Sequence, residues 1–277
     1  MIENKPNSVP SKGWDFHKIG EKIMQRIAKI FILLFIIAAV TTACMSPFQP
    51  RLVRGSGDII VERRNVSGFN KVLVEGAGRI IITQGDKESL TIETDDNLME
   101  YIKVEVKGDT LEIGFEDNVV FSSGRGRIAL DPTDGFVFRI SVIDLNAIAV
   151  SGAADIEIEK IKTDQFDITL SGAGLVAVDD LDARTLNVLV SGAGDVNLAG
   201  RVDNQVVRLS GLGHYQAFNL ESQVAAITIS GAGGANVWVT ESLDVSISGA
   251  GDVKYYGDPS VTPSISGVGR IQSQGEK

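Results

Sequence analysis

Two histidines and one cysteine leave this chain of 277 residues few ways to do chemistry. His17, His214 and Cys44 are too few for a Cys/His zinc cluster, and no disulfide can close within the chain. The acid–base candidates form a series instead. Asp155, Leu175, Asp195, His214, Gly234, Asp252 and Arg270 each stand four residues after the serine of a tetrad such as SGAG. If the tetrads stack, Asp195 and His214 become neighbours, close enough for an acid/base or cation-binding pair. The structural alternative is that Asp serves the turn and His214 fills a solvent-facing slot. Tyr256 completes the candidate ligand face of Asp155, Asp195, His214 and Asp252. Trp238, Tyr215 and Tyr255 are the other aromatics considered for a carbohydrate surface, Tyr255 falling partly in the core.

Three further patterns bear on chemistry. The run GAGDVNL at 192–198 is similar to the nonapeptide of calcium-binding β-rolls. Calcium takes about six to eight oxygens, and Asp occurs in only three of the seven copies here. Asp179, Asp180, Asp182 and Arg184 could serve a polysaccharide lyase or hydrolase, although consecutive charges on a return loop ordinarily form a solvated face. Gly124-Arg125-Gly126 lacks the strand–loop–helix setting of a phosphate loop. The expectation is a protein without catalytic residues, bound metal or cofactor; a polysaccharide-acting enzyme and a cation-binding solenoid are the alternatives.

What must position these residues is a repeat. Its serines are Ser151, Ser171, Ser191, Ser210, Ser230, Ser248 and Ser266, spaced 20, 20, 19, 20, 18 and 18 residues apart. One and three residues before each serine stand pairs such as Leu170 and Ile168, or Val190 and Val188. Five and seven residues after it stand pairs such as Ile156 and Ile158, or Val176 and Val178, with mostly polar residues between. Period-two alternation marks strands with one buried face. Each unit therefore reads as strand, corner, strand and short return. The constant spacing favours an all-β solenoid of about 20 residues per coil over a string of hairpins. Coils stacked about 4.8 Å apart make a column of roughly 30 Å.

Gly152, Gly172, Gly192, Gly211, Gly231, Gly249 and Gly267 are the expected structural corners, where glycine permits positive φ and close stacking. The small residue after each is expected to point inward, and the serines to bond backbone or form a hydroxyl ladder. Residues 135–277 form this regular solenoid. Residues 58–134 read as an N-terminal β lobe, in which Glu75-Gly-Ala-Gly78 repeats the corner with Glu in place of Ser.

The N-terminus carries export information. Ile30–Val40 is a run of eleven apolar residues, preceded by Lys12, Lys18, Lys22, Arg26 and Lys29. A spanning helix needs about 20 apolar residues, whereas this length suits a secretory signal. Thr41-Thr42-Ala43-Cys44 resembles a bacterial lipobox, Thr41 departing from the usual Leu or Val. The expectation is a signal over 1–43 and lipidation at Cys44, followed by a linker to residue 57. An uncleaved anchor or a plain secretory cut are alternatives, and all three place the body outside the cytoplasm. Without residues 1–43, 20 basic side chains stand against 33 acidic, a net charge of −13. Such a charge opposes nucleic acid.

The segment FNKVLVEGAGRIIITQGDKESLTIETDDNLMEYIKVEVKGDTLEIGF at 69–115, followed by serial SGAGD, resembles the bacterial head GIN domain, a family of unknown function ascribed to auto-transporter adhesins. The resemblance covers about Val66–Ile271. It implies a right-handed parallel β-helix, often on an exported lipoprotein, and supplies no catalytic residues. The functional expectation is a non-enzymatic, exported lipoprotein of the bacterial cell envelope or cell surface, tethered to the membrane through Cys44. Its adhesin-like or scaffold-like surface would meet an envelope polymer, glycan or protein.

Overall fold

Alternating burial along the strands sets the architecture. The computed structural model describes residues 50–120 and 128–277. The expected signal, Cys44 and Gly124–Gly126 lie outside the described residues. In the N-terminal half, β1 (Arg51–Arg54), β2 (Ile59–Arg64), β3 (Lys71–Val74), β4 (Ala77–Gln84) and β5 (Ser89–Asp95) lead to a 3-10 turn at Asp96–Tyr101. That turn buries Leu98 and Met99. Next come β6 (Ile102–Lys107), β7 (Thr110–Phe115), β8 (Val119–Val120), β9 (Ile128–Asp131) and β10 (Val137–Val142).

From β11 (Ala147–Val150) onward the coils repeat. Single strands run from one corner to the next: β12 (Ala153–Leu170), β13 (Ala173–Val190), β14 (Ala193–Leu209), β15 (His214–Ile229) and β16 (Ala232–Ile247). The last turns are β17 (Ala250–Tyr256), β18 (Ser260–Ile265) and β19 (Ile271–Ser273). All pair in parallel, as a solenoid requires. One inward column reads Ile80, Ile156, Val176, Val196, Tyr215, Ala235, Val253 and Ile271 through successive partners. Each fully buried Val, Ile or Leu contributes about 1.5–3 kcal/mol, so the stacked columns hold the coils together.

Unequal coil lengths are absorbed away from the SGAG corner. Register shifts fall between Val178 and Leu181, Asn197 and Ala199, and Ala217 and Glu221. The corner thus stays aligned while the return segment bulges.

The two expected halves share one sheet. Val74 pairs with Val150 and Ala77 with Ala153, so β3 and β4 form the coil beneath β11 and β12. Below them β7 pairs with β3 in parallel, and β6 closes the end as an antiparallel hairpin. β10 joins β4 in parallel and β5 antiparallel. The stretch expected as a linker is partly ordered: β1 pairs with β9, which also pairs with β8. Its partner lies 77 residues away in sequence, beyond the reach of local pattern.

Candidate functional site

The corner is built from stacked backbone. Ser171 and Gly172 N–H both donate to the Val150 carbonyl, at 2.8 and 3.2 Å, and Ala173 N–H donates to the Gly152 carbonyl at 2.9 Å. The same three bonds recur up to Ser266, Gly267 and Val268. None of the seven corner glycines has positive φ. Glycine is required for another reason: a Cβ at any of them would lie far inside 3.0 Å of the carbonyl oxygen of the glycine one coil below. Gly152 meets Gly76 in this way, so the Glu75 corner is the first rung.

The side chains around the corner differ from expectation. Ala153, Ala173, Ala193, Ala232 and Ala250 are exposed, as are Leu212 and Val268 in the same column. The fourth tetrad residue is the one that faces inward. Ala154 is buried, and a Cβ on Gly194 or Gly213 would meet Leu170 or Val190 side chains of the coil below. The serines are exposed and form no ladder among the described residues. Ser210 Oγ reaches the Val190 carbonyl at 3.5 Å, the long limit for a hydrogen bond.

The column four residues after each serine aligns as expected, with Leu175 beside Asp195 and Gly234 between His214 and Asp252. The carboxylates, however, are engaged with backbone. Asp155 Oδ1 accepts Leu175 N–H at 2.9 Å, Asp195 Oδ1 accepts His214 N–H at 3.0 Å, and Asp252 Oδ1 accepts Arg270 N–H at 2.9 Å. Each Asp therefore staples its coil to the next. Asp195 Oδ1 also lies 3.3 Å from His214 Nδ1, with both side chains about half exposed. Asp252 pairs with Arg270 at 3.5 Å. These are separate pairs rather than one converging site. Gly234 leaves a notch between His214 and Asp252, part of an open groove of about 630 Å³ that Gln216, Asn236 and Lys254 also line.

Tyr256 stands apart from that column, four residues along the strand from Asp252, about 13 Å at the rise of a strand. It pairs in register with Trp238 and meets Phe218 edge-on with ring centroids 4.9 Å apart. Tyr215, considered for a surface role, is fully buried.

In the Asp179–Arg184 cluster, Asp180, Asp182 and Arg184 are drawn into separate cross-coil ion pairs. Asp180 meets Lys160 at 2.5 Å, Asp182 meets Lys162 at 2.9 Å, and Arg184 meets Asp164 at 3.1 Å. The Lys162 hydrogen bond holds the Asp182 carboxyl below its ordinary range, and the Asp180 bond lifts Lys160 above its own. All are solvated, which removes the low-dielectric setting that acid–base catalysis exploits. Among the described residues, no group of three or more His, Cys, Asp or Glu side chains could hold a metal ion.

Two polar networks escaped the sequence reading. Tyr215 Oη donates to Gln205 Oε1 at 2.7 Å, Gln205 Nε2 donates to Ser222 Oγ at 2.7 Å, and Ser222 Oγ donates to the Trp238 carbonyl at 2.9 Å. Gln205 and Ser222 are buried as well. Small register partners, Ala235 of Tyr215 and Ala225 of Gln205, leave room for this chain. Gln205 shares the parity of Val207 and Leu209, a polar residue in an inward slot, and that was its signal. The second network centres on buried Asp95, which accepts Gly57 N–H at 2.8 Å, Thr133 N–H at 2.9 Å and the Thr133 hydroxyl at 2.7 Å. Burial alone would raise the Asp95 carboxyl, but these bonds outweigh it and hold the group below its ordinary value.

The family profile described as "putative auto-transporter adhesin, head GIN domain" matches residues 68–259. The chain belongs to the head GIN domain family. A crystal structure of a "putative adhesin" from Bacteroides fragilis shares 31% identity with this head GIN chain, covering 80% of it and 99% of the other chain, with a TM-score of 0.74. A "putative lipid binding protein" from Parabacteroides distasonis shares 25% identity over 80% of this chain and 99% of that one, TM-score 0.67. A "putative adhesin" from Parabacteroides merdae, 20% identical over 80% and 99% of the two chains with a TM-score of 0.63, has the same fold. None of the curated protein sequences compared matches this head GIN chain.

Proposed function

We propose that this head GIN protein is a non-enzymatic envelope lipoprotein whose solenoid face binds a polymer, glycan or protein outside the cytoplasm. The observation that carries this reading is a polar ladder on the strand face after the SGAG corner. Asn197, Gln216, Asn236 and Lys254 are successive register partners with side chains in or near solvent. Asn236 Nδ2 donates to Gln216 Oε1 at 2.5 Å. Beside this ladder stand the aromatic side chains of Phe218, Trp238 and Tyr256, neither fully buried nor fully exposed. Repeated donors and acceptors at coil spacing suit an extended ligand, with aromatic anchors supplying contact area. The paired charges of the Asp179–Arg184 region and the backbone-bound carboxylates of the corner column support binding over turnover. The family's adhesin description points the same way.

The lipoprotein part of this proposal rests on the run Ile30–Val40 and on Cys44. Metabolic labelling with a fatty acid tests it: the native chain takes up label and sediments with membranes, and Cys44→Ser does neither. Equal labelling of both chains would contradict it. Ligand binding is tested by retention of the purified protein on an array of cell-wall polymers, glycans and matrix proteins. Selective retention, weakened by Gln216→Ala and Asn236→Ala, is the expected result. Retention on nothing would contradict a binding role.

A further inference from the structure

Beyond the polar ladder, one cluster shows a ligand chemistry directly. The C-terminal tail continues the coil path, held by Gln274 N–H on the Tyr255 carbonyl at 2.8 Å and by Gly257 N–H on the Gly275 carbonyl at 2.9 Å. This brings the Lys277 ammonium over the Trp238 ring, 4.7 Å from its centroid. The same ammonium donates to the Phe218 carbonyl, and to Asn219 Oδ1 at 2.8 Å. A π face and two oxygen acceptors form a receptor for a primary ammonium.

Its parts are positioned by the fold. Phe218 and Asn219 lie in the bulge between Ala217 and Glu221, where the register shift breaks the regular alternation. Tyr256 packs edge-on against Phe218. Glu221 is the register partner of Trp238. A recess of about 390 Å³ continues from Phe218 and Asn219 toward Asp179 and Gln216, so an incoming chain has room and acidic company.

We propose that Trp238, the Phe218 carbonyl and Asn219 form a docking site for a lysine side chain of a polypeptide partner, and that Lys277 occupies this site in cis. The seated group is an ammonium on a four-carbon stem, and its partners are a π face, a carbonyl and an amide oxygen; both favour a lysine over a neutral sugar. This inference rests on the binding role proposed above and names the partner chemistry of that face. A tethered lysine competes with any incoming one at high effective concentration, so the site opens fully only when the tail is displaced.

The test uses the full-length protein in detergent with Trp14→Phe, leaving Trp238 as the sole indole. The probes are acetyl-Gly-Lys-Gly-amide, its norleucine counterpart and glucosamine. With Lys277→Met added, the lysine peptide should change Trp238 emission saturably, at roughly tenfold lower concentration than with Lys277 present. Norleucine should give no response, and Asn219→Ala should weaken the lysine response. A folded Lys277→Met protein, its circular dichroism and Tm unchanged, that ignores the lysine peptide would overturn the proposal. So would equal responses to lysine and norleucine, or a response to glucosamine alone. Array retention that persists unchanged in Asn219→Ala and Trp238→Leu would remove this site and leave the general binding role standing.

Discussion

Asp195 Oδ1 lies 3.3 Å from His214 Nδ1, yet the same oxygen accepts the His214 backbone N–H at 3.0 Å. The pair that could have been an acid and a base is thus a coil-to-coil staple with an imidazole beside it. Asp155 and Asp252 make the equivalent bond to Leu175 and Arg270, neither of which has an imidazole to offer. The shared feature of the column is therefore the carboxylate–amide bond.

Asp195→Ala should lower Tm by about 2–4 °C, the effect of losing one ordinary hydrogen bond in a domain of this size. Asp195→Asn keeps an acceptor oxygen and should stay within about 1 °C. Thermal unfolding followed by circular dichroism reads both. A large loss in the Asn variant would mean that charge, and the histidine, matter more than the amide bond.

Gly192→Ala should be severe, costing about 3 kcal/mol or more, because the new methyl overlaps the Gly172 carbonyl. Ala193→Ser, one residue on, should be nearly silent, since that side chain is exposed. Denaturant unfolding of the two variants tests the stacked corner. Comparable losses would show that the backbone approach is looser than described.

Tyr215→Phe should cost about 1–3 kcal/mol, because Gln205 Oε1 is then buried without its donor. Burial also pushes the Tyr215 phenol well above its ordinary value. In an alkaline titration the native protein should hold Tyr215 protonated for as long as it stays folded. Its raised folded value means that this contribution is full below about pH 10 and is lost as pH rises further. An ultraviolet titration in which every tyrosine ionises at about pH 10 without unfolding would contradict the buried network.

Acid should act in the opposite direction. The Asp95 carboxyl is held below its unfolded value, so its contribution is full above about pH 4 and falls as pH drops through the folded value. Asp109, Glu157 and Asp182 share that sign through Lys71, Arg79 and Lys162. Stability measured between pH 6 and pH 2 should be level at first and then decline, and Asp95→Asn should flatten part of the decline. An unchanged acid slope in that variant would separate Asp95 from acid unfolding.

Much of the solenoid was legible because its signal is local and repeated. Ile156, Val176 and Val196 fall in one column by counting alone, and Glu75 was placed at a corner without its serine. The direction of side chains at the corner was not legible. Alternation breaks over SGAG, so the outward Ala193 and the inward Gly194 exchange the places that a small-residue reading assigns them. Contacts distant in sequence were also hidden, among them Arg51 with Ile128 and Asp95 with Thr133. The Asp column was found by spacing, but its role lay in which backbone amide each oxygen meets. Phe218 and Asn219 sit in a bulge, where no period places a residue.

The central claim is that this head GIN protein binds without turnover, and the most direct measurement is the chain length of the ligand it retains. The captured polymer or protein would be held with the purified protein through prolonged incubation and then sized, with new ends counted. Recovery at its original length, with no new ends, is the predicted result. Shortening that grows with time and disappears when Asp180 and Asp182 are changed to Asn would contradict it and make the protein an enzyme.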